Sequence, residues 1–282
     1  MQIKKIGILY HPAVQTAIAK AREFRLFLTS RNVESWECSA WETSEAVSLL
    51  DGTDLLVTVG GDGTILRASQ IAMSKGIPIV GINMGNLGFL TELKADEAQS
   101  GITSLLEGNG WVDERMMLEA EVEGGEYSGE DRIIYHALND IVLARGEIVK
   151  LIQIEAVVDG KPLTNYRADG VILSTSTGST SYAMAAGGPI LYPSCLDIVM
   201  VPISTHLSMS YSLVLPGSSV ISLRAKERSK AVMSIDGHIN LKVTPETIIT
   251  VRRSSHKTRF LRLNPQTNFF NVLEEKFRGL NH

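Results

Sequence analysis

The sequence is short of several things that would each point to a particular kind of protein. It has two cysteines, Cys38 and Cys195, far apart and with no other plausible ligand beside them. Neither a zinc pattern nor a disulfide framework follows, and two reduced thiols in a cytosolic protein are expected. Basic residues are not in excess: the net charge is −4 and the pI near 5.9. That excludes nucleic acid as the main partner, because binding a phosphate backbone needs a basic face. A small polyanion needs only a few local cations and stays open. No apolar run approaches the length of a membrane span, and Ile6–Tyr10, after Lys4-Lys5, is too short for a secretory core. The expectation is a soluble, cytoplasmic chain with no membrane partner. Internal repeats and low-complexity segments are also missing. What remains is 282 residues, 44% hydrophobic and 21% charged, enough for two globular domains with a sizeable core.

The two parts differ in rhythm. Ile6–Tyr10 reads as a strand, and Val14, Ala17, Ile18, Ala21, Phe24 and Leu28 recur at helical spacing up to a stop at Asn32. Further strands are expected at Val33–Cys38, Leu55–Val59 and Ile77–Ile82, with helices at Thr64–Lys75 and Asp96–Glu107. This alternation predicts an open parallel sheet of the Rossmann-like kind, covered on both faces, over residues 1–111. From Val112 the pattern turns to short strands: Leu151–Val158, Ile198–Ile203, Ser212–Leu215, Val220–Arg224, Ala231–Ile235 and Ile248–Arg252. Asp159-Gly160 supplies a hairpin turn, and one helical candidate lies near Ser181–Ala186. Residues 112–264 therefore read as an all-β domain of stacked sheets. In the tail, 265–282, Phe269, Val272, Leu273 and Phe277 share a helical face, which predicts a helix packing back on the first domain or on a neighbouring subunit.

The most informative residues are Gly60-Gly61-Asp62-Gly63-Thr64, after a buried strand and before a helix. In open α/β sheets ligands sit beyond the carboxyl ends of strands. Glycines there admit a phosphate and positive φ angles, and a helix N-terminus attracts an anion. Thr64 is placed to cap that helix, and Arg67, one turn in, to neutralise a phosphate. An isolated Asp-Gly is ordinarily a turn; the flanking strand and helix favour a ligand loop. Asp62 would repel a phosphate unless it had a task, either accepting a proton from an attacking hydroxyl or helping to hold a divalent metal. The Walker pattern and Gly-x-Gly-x-x-Gly are both absent, so neither an ordinary P-loop enzyme nor an obvious dinucleotide dehydrogenase is indicated.

Gly60–Thr64 resembles the signature shared by NAD kinases, diacylglycerol and sphingosine kinases and, more loosely, phosphofructokinases. Three further segments resemble NAD kinases in particular. Asn83-Met84-Gly85-Asn86-Leu87-Gly88-Phe89-Leu90 is a loop able to wrap a ligand, with Phe89 as a flat apolar surface or, more commonly, a core aromatic. Leu138-Asn139-Asp140 suits a purine edge and ribose hydroxyls, although such a pair alone reads as a turn. Arg167-Ala168-Asp169-Gly170 and then Ser174–Tyr182 form the most specific stretch, matching the family's Thr-Gly-Ser-Thr-Ala-Tyr with Ser181 in place of alanine. Its row of hydroxyls reads as a donor array without fixed charge.

The resemblance implies an α/β domain, an all-β domain, a site between them, and a homodimer or homotetramer whose neighbouring subunits contribute to the site. It implies Asp62 as the catalytic carboxylate. For substrate binding it implies Gly61, Gly63, Thr64, Arg67, Phe89, Asn139, Asp140, Lys150, Arg167, Asp169, Thr177, Thr180, Ser181, Tyr182, Ala185 and His238. Lys150 is otherwise an ordinary solvated lysine, and His238 an ordinary structural or exposed histidine. The expected reaction moves a phosphoryl group from ATP or polyphosphate to the 2′-hydroxyl of the adenosine ribose of NAD, with Mg²⁺ or another divalent ion, giving NADP. Two rivals are a lipid kinase, which needs an acyl channel and no hydroxyl array, and a non-catalytic NAD-binding regulator.

Overall fold

The computed structural model describes residues 3–85, 88–127, 132–147, 150–206, 210–226 and 230–279. Asn86 and Leu87 of the expected wrapping loop lie outside the described residues. The contacts divide the chain into two units, residues 1–114 with 257–282, and residues 115–256. The chain passes between the units inside two long strands, where the alternation of side chains gives no sign of a boundary.

Unit 1 begins with β1 (Lys5–Tyr10), α1 (Gln15–Ser30), β2 (Glu34–Ser39), α2 (Thr43–Ser48), β3 (Leu55–Gly60) and α3 (Asp62–Met73). It continues through β4 (Ile79–Asn83), β5 (Leu93–Lys94) and α4 (Ala98–Leu106) into the first half of β6 (Trp111–Glu123). The strands pair in parallel in the order β2-β1-β3-β4. β3 and β4 are buried throughout, which is why their sequences are near-continuous apolar runs. α1 turns Ala17, Ala21, Phe24 and Leu28 to the sheet and ends at Asn32 with a left-handed φ of 58°. Connections leave β1 in opposite directions, so the switch point of the sheet lies between β1 and β3. His11 follows β1 there, its N–H donating to the Val59 carbonyl at 3.1 Å.

Unit 2 continues with β7 (Ile133–Ala137), β8 (Asp140–Arg145), β9 (Ile152–Val158), β10 (Lys161–Ala168) and β11 (Gly170–Ser174). A 3-10 turn (Gly178–Thr180) leads to α5 (Tyr182–Ala185), β12 (Ile198–Ile203), β13 (Leu213–Leu215), β14 (Ile221–Lys226), β15 (Ala231–Ile235) and β16 (Ile239–Val243). β17 (Ile248–Arg262) then returns to unit 1, which closes with α6 (Asn268–Gly279). One antiparallel sheet runs β13-β12-β11-β8-β15-β16; the other joins β10, β9, β14 and β17, with β6 and β7 beyond. Alternate residues of both, among them Ile154, Tyr166, Leu223 and Val251 from one and Leu143, Leu173, Met200 and Met233 from the other, fill a common core. Asp159 (φ 50°) and Gly160 (φ 74°) make the expected tight turn between β9 and β10.

The stacked sheets, the parallel sheet and the terminal helix agree with the sequence reading. β10 was invisible in it, because within Lys161–Ala168 only Tyr166 and Ala168 are buried. The half of β17 beyond Arg252 was also missed.

Candidate functional site

In unit 1 the glycine loop stands at the carboxyl end of β3, as expected, but its details differ. α3 starts at Asp62, two residues earlier than the periodicity predicts, so Gly61 is the cap residue and Thr64 is not. Thr64 is instead fully buried in the first turn, and its Oγ1 has no hydrogen-bond partner. No glycine of the loop has positive φ. Gly60 is required because an added Cβ would overlap Thr64 Oγ1, whereas nothing lies within 4 Å of a Cβ built on Gly61 or Gly63. Those two are exposed, and leave the backbone open to close approach.

The Asp62 carboxylate is fixed by two main-chain donors: Phe89 N–H to Oδ2 at 2.9 Å and Leu90 N–H to Oδ1 at 3.1 Å. Each oxygen keeps a further lone pair for a ligand. Arg67 lays its guanidinium over the Trp41 ring, 4.3 Å from the centroid, and the His11 ring meets the same indole at 4.3 Å. No carboxylate pairs with Arg67 among the described residues. Burial lowers its pKa somewhat, which leaves an arginine charged. Phe89 is not a free platform: its ring packs on Phe269 of α6, centroids 6.4 Å apart, with the Lys276 ammonium 6.0 Å from its centroid. Among the described residues no three His, Cys, Asp or Glu side chains converge as a metal cage, and no helix is long and apolar enough to cross a membrane.

In unit 2 the organiser is Asp236, in the β15–β16 turn with φ 49°. Its carboxylate accepts the N–H groups of Leu138 (2.9 Å), Asn139 (2.7 Å) and Asp140 (3.1 Å). This fixes the Asn139-Asp140 corner at the start of β8. Asn139 Oδ1 is buried without a partner. Burial first, and then the nearby Asp236, push the Asp140 carboxyl up to about 7. Asp236 is raised by its own burial, against its three N–H bonds.

The hydroxyl row differs from the expected donor array. Ser174 bonds the Asn139 carbonyl (3.2 Å), Thr175 that of Leu138 (2.6 Å), Ser176 that of Pro193 (3.0 Å) and Ser179 that of Ser176 (2.6 Å). These four shape the loop and tie it to the Asn139 corner. Gly178 passes so close that an added Cβ would overlap the Asn139 carbonyl. Thr177 Oγ1 accepts Arg115 Nη1 at 3.2 Å, and the Thr180 hydroxyl returns to the Thr177 carbonyl. The surface of the segment is Ser181, Tyr182 and Ala185, all exposed, held by Ala183 packing on Val142, Ile172, Val199 and Val201.

Residues 6–110 match the family model of the ATP-NAD kinase N-terminal domain, and residues 138–263 that of the ATP-NAD kinase C-terminal domain. The NAD kinase of Dehalococcoides mccartyi (strain CBDB1) is 43% identical over 278 residues, covering 99% of this chain and 97% of that one. That of Chloroflexus aurantiacus (strain J-10-fl) is 34% identical over 277 residues, 98% of this chain and 99% of the other. The chain belongs to the NAD kinase family. Among solved structures, yeast NADH kinase complexed with NADH superposes with a TM-score of 0.88 at 26% identity, over 98% of this chain and 87% of that one. An NAD kinase from Archaeoglobus fulgidus in complex with ATP gives 0.77 at 24% identity over 96% and 98%, a likeness of fold. Membership in the NAD kinase family sets aside the lipid-kinase and regulator readings.

Other residues implied by the family resemblance are less engaged with the corner. Asp169, implied as a substrate-binding residue, pairs with Arg145 Nε at 2.9 Å. Lys150 is exposed. Arg167 is an exposed member of β10, its carbonyl accepting from His206. His238 Nδ1 lies 3.1 Å from the Asp236 carbonyl oxygen. Sequence reasoning missed Asp236 as organiser, although Asp-Gly between two strands was a signal, and it missed Trp41 and Arg115 altogether.

Proposed function

We propose that this chain transfers the terminal phosphoryl group of ATP in line to the 2′-hydroxyl of the adenosine ribose of NAD, giving NADP. The observation that carries the reading is the Asp62 carboxylate, fixed by two backbone N–H groups in a glycine loop at the carboxyl end of β3, in a chain of this family.

Unit 1 supplies the groups for the donor. Gly61 and Gly63 let the phosphates reach the main chain, the α3 N-terminus offers N–H groups and partial positive charge, and Arg67 offsets phosphate charge. Asp62 accepts or orients the attacking hydroxyl; carboxylates are weak bases toward alcohols, so orientation is the larger share. Unit 2 supplies the groups for the dinucleotide. Asn139 has an unused buried acceptor suited to an exocyclic amine or hydroxyl, Asp140 can bond ribose hydroxyls, and Thr177, Thr180, Ser181, Tyr182 and Ala185 line the neighbouring segment. Lys150, Arg167, Asp169 and His238 are included on the family resemblance. Phe89 enters as support for the loop.

A divalent ion, Mg²⁺ by this reading, fits as one carried on the donor phosphates, with Asp62 as its protein carboxylate beside the loop. When bound it would neutralise charge on the transferring phosphoryl oxygens. A cytoplasmic homo-oligomer belongs to the same reading: the resemblance supports the oligomer, and two free cysteines agree with a reducing compartment.

The test is purified protein with NAD or NADH, each offered ATP or inorganic polyphosphate, following NADP or NADPH. Asp62→Asn keeps the size and removes the charge; kcat should fall about 10²–10⁴-fold. Near-normal turnover with intact NAD binding would refute the role given to Asp62.

A further inference from the structure

The clamp on Asp62 is itself fastened from the far end of the chain. Gly88 lies so close to the carboxylate that an added Cβ would overlap it, so the 88–91 loop is packed directly against Asp62. The carbonyl of Leu90 accepts Arg262 Nη1 at 2.8 Å. The same guanidinium pairs with Glu92 at 3.1 Å and Asp113 at 3.4 Å, all three side chains less than a tenth exposed. Glu92 also accepts the main-chain N–H groups of Leu263 (2.8 Å) and Asn264 (2.7 Å). Farther along, Phe269 and Lys276 of α6 pack on the Phe89 ring. All of these residues belong to unit 1.

A buried ion network of this kind is a poor means of adding stability, since apolar packing does as well. Its directed hydrogen bond to Leu90 gives it a more specific task. α6, for its part, leaves Phe270 and Phe277 exposed, a weak arrangement for a helix serving stability alone.

We infer that the segment from Lys257 onward positions the Asp62 carboxylate for phosphoryl transfer, with Arg262 and Phe269 as positioning residues acting through the 88–91 loop. This rests on the role given to Asp62 above. In-line transfer depends on where the accepting oxygen lies, so a small shift of the loop lowers turnover without weakening dinucleotide binding.

The test uses the full chain. Phe269→Ala should lower kcat about 10- to 100-fold, leave KM for NAD within about twofold, and speed hydrogen exchange at the Phe89 and Leu90 amides about tenfold. Phe269→Leu, which restores an apolar contact, should recover most of each change. Arg262→Lys keeps the charge between Glu92 and Asp113 but loses the guanidinium fork, and should give the same split between kcat and KM. Unchanged kcat in Phe269→Ala overturns the inference, and so does a lower kcat with undiminished amide protection. The underlying reading fails separately, if Asp62→Asn retains its turnover; the exchange measurement needs no activity at all.

Discussion

Asp140→Asn should change the stability of unit 2 in a way that depends on pH. Asp140 is 5% exposed, and its carboxyl sits at about 7 against 3.8 for an exposed aspartate. Between those values the unfolded chain has released a proton that the folded chain still holds. Stability therefore falls as pH rises through the window, from full strength below about 4 to its lower limit above about 7. The gap between the two pKa values corresponds to about 4 kcal/mol, and relaxation around the buried carboxylates reduces it, leaving about 1–4 kcal/mol. Asparagine cannot ionise, so the variant should gain that amount over the parent between pH 4 and pH 8. Urea unfolding followed by near-ultraviolet circular dichroism, compared with tryptophan fluorescence, reads the effect, because every tyrosine except Tyr10 lies in unit 2. Tryptophan fluorescence serves as the control, since Trp36, Trp41 and Trp111 all lie in unit 1. A variant-minus-parent difference that stayed constant from pH 4 to pH 8 would refute the argument.

Other substitutions separate support from chemistry. Trp41→Leu removes the surface under Arg67 and should raise KM for ATP about two- to fivefold with KM for NAD unchanged, as measured by steady-state kinetics. Gly63→Ala meets no neighbour, so stability in urea should barely change (within about 0.5 kcal/mol), while kcat/KM for ATP falls as the methyl intrudes on the phosphates. Gly178→Ala drives a methyl into the Asn139 carbonyl and should destabilise unit 2 by about 1–3 kcal/mol in urea, weakening NAD binding with it.

Much of the fold was legible because burial on both sides of a sheet leaves a plain mark. Leu55–Val59 could hardly be anything but an inner strand, and Ile198–Ile203 and Ala231–Ile235 were read with their observed limits. Strands with one wet face were harder. Beyond Arg252, β17 runs Arg253 to Phe260 with most side chains exposed, and nothing in that composition separates a strand from a loop. α2 is too short for periodicity to register. The candidate site was legible by residue type and order, but direction was not. The row from Ser174 to Ser179 announced hydroxyls, and the fold spends them on the carbonyls of Leu138, Asn139, Ser176 and Pro193. Phe89 likewise offered a ring, and α6 took it.

Two of the unmet polar atoms fall in the same places. Folded chains leave few buried polar atoms without a partner, each costing about 1–3 kcal/mol. Among the described residues four side chains carry such atoms: Glu37, Thr64, Asn139 and Thr258. Thr64 belongs to the glycine loop of unit 1, and Asn139 to the corner that Asp236 fixes in unit 2. Around each, neighbouring groups are paired with care: three N–H groups on Asp236, two on Asp62, four hydroxyls on carbonyls. A corner built so fully and yet left one donor short, at Asn139 Oδ1, is destabilised unless something else supplies that donor. Under the proposed function an exocyclic amine or hydroxyl of the nucleotide would do so at Asn139, and the residue that weakens the free protein would then strengthen its complex.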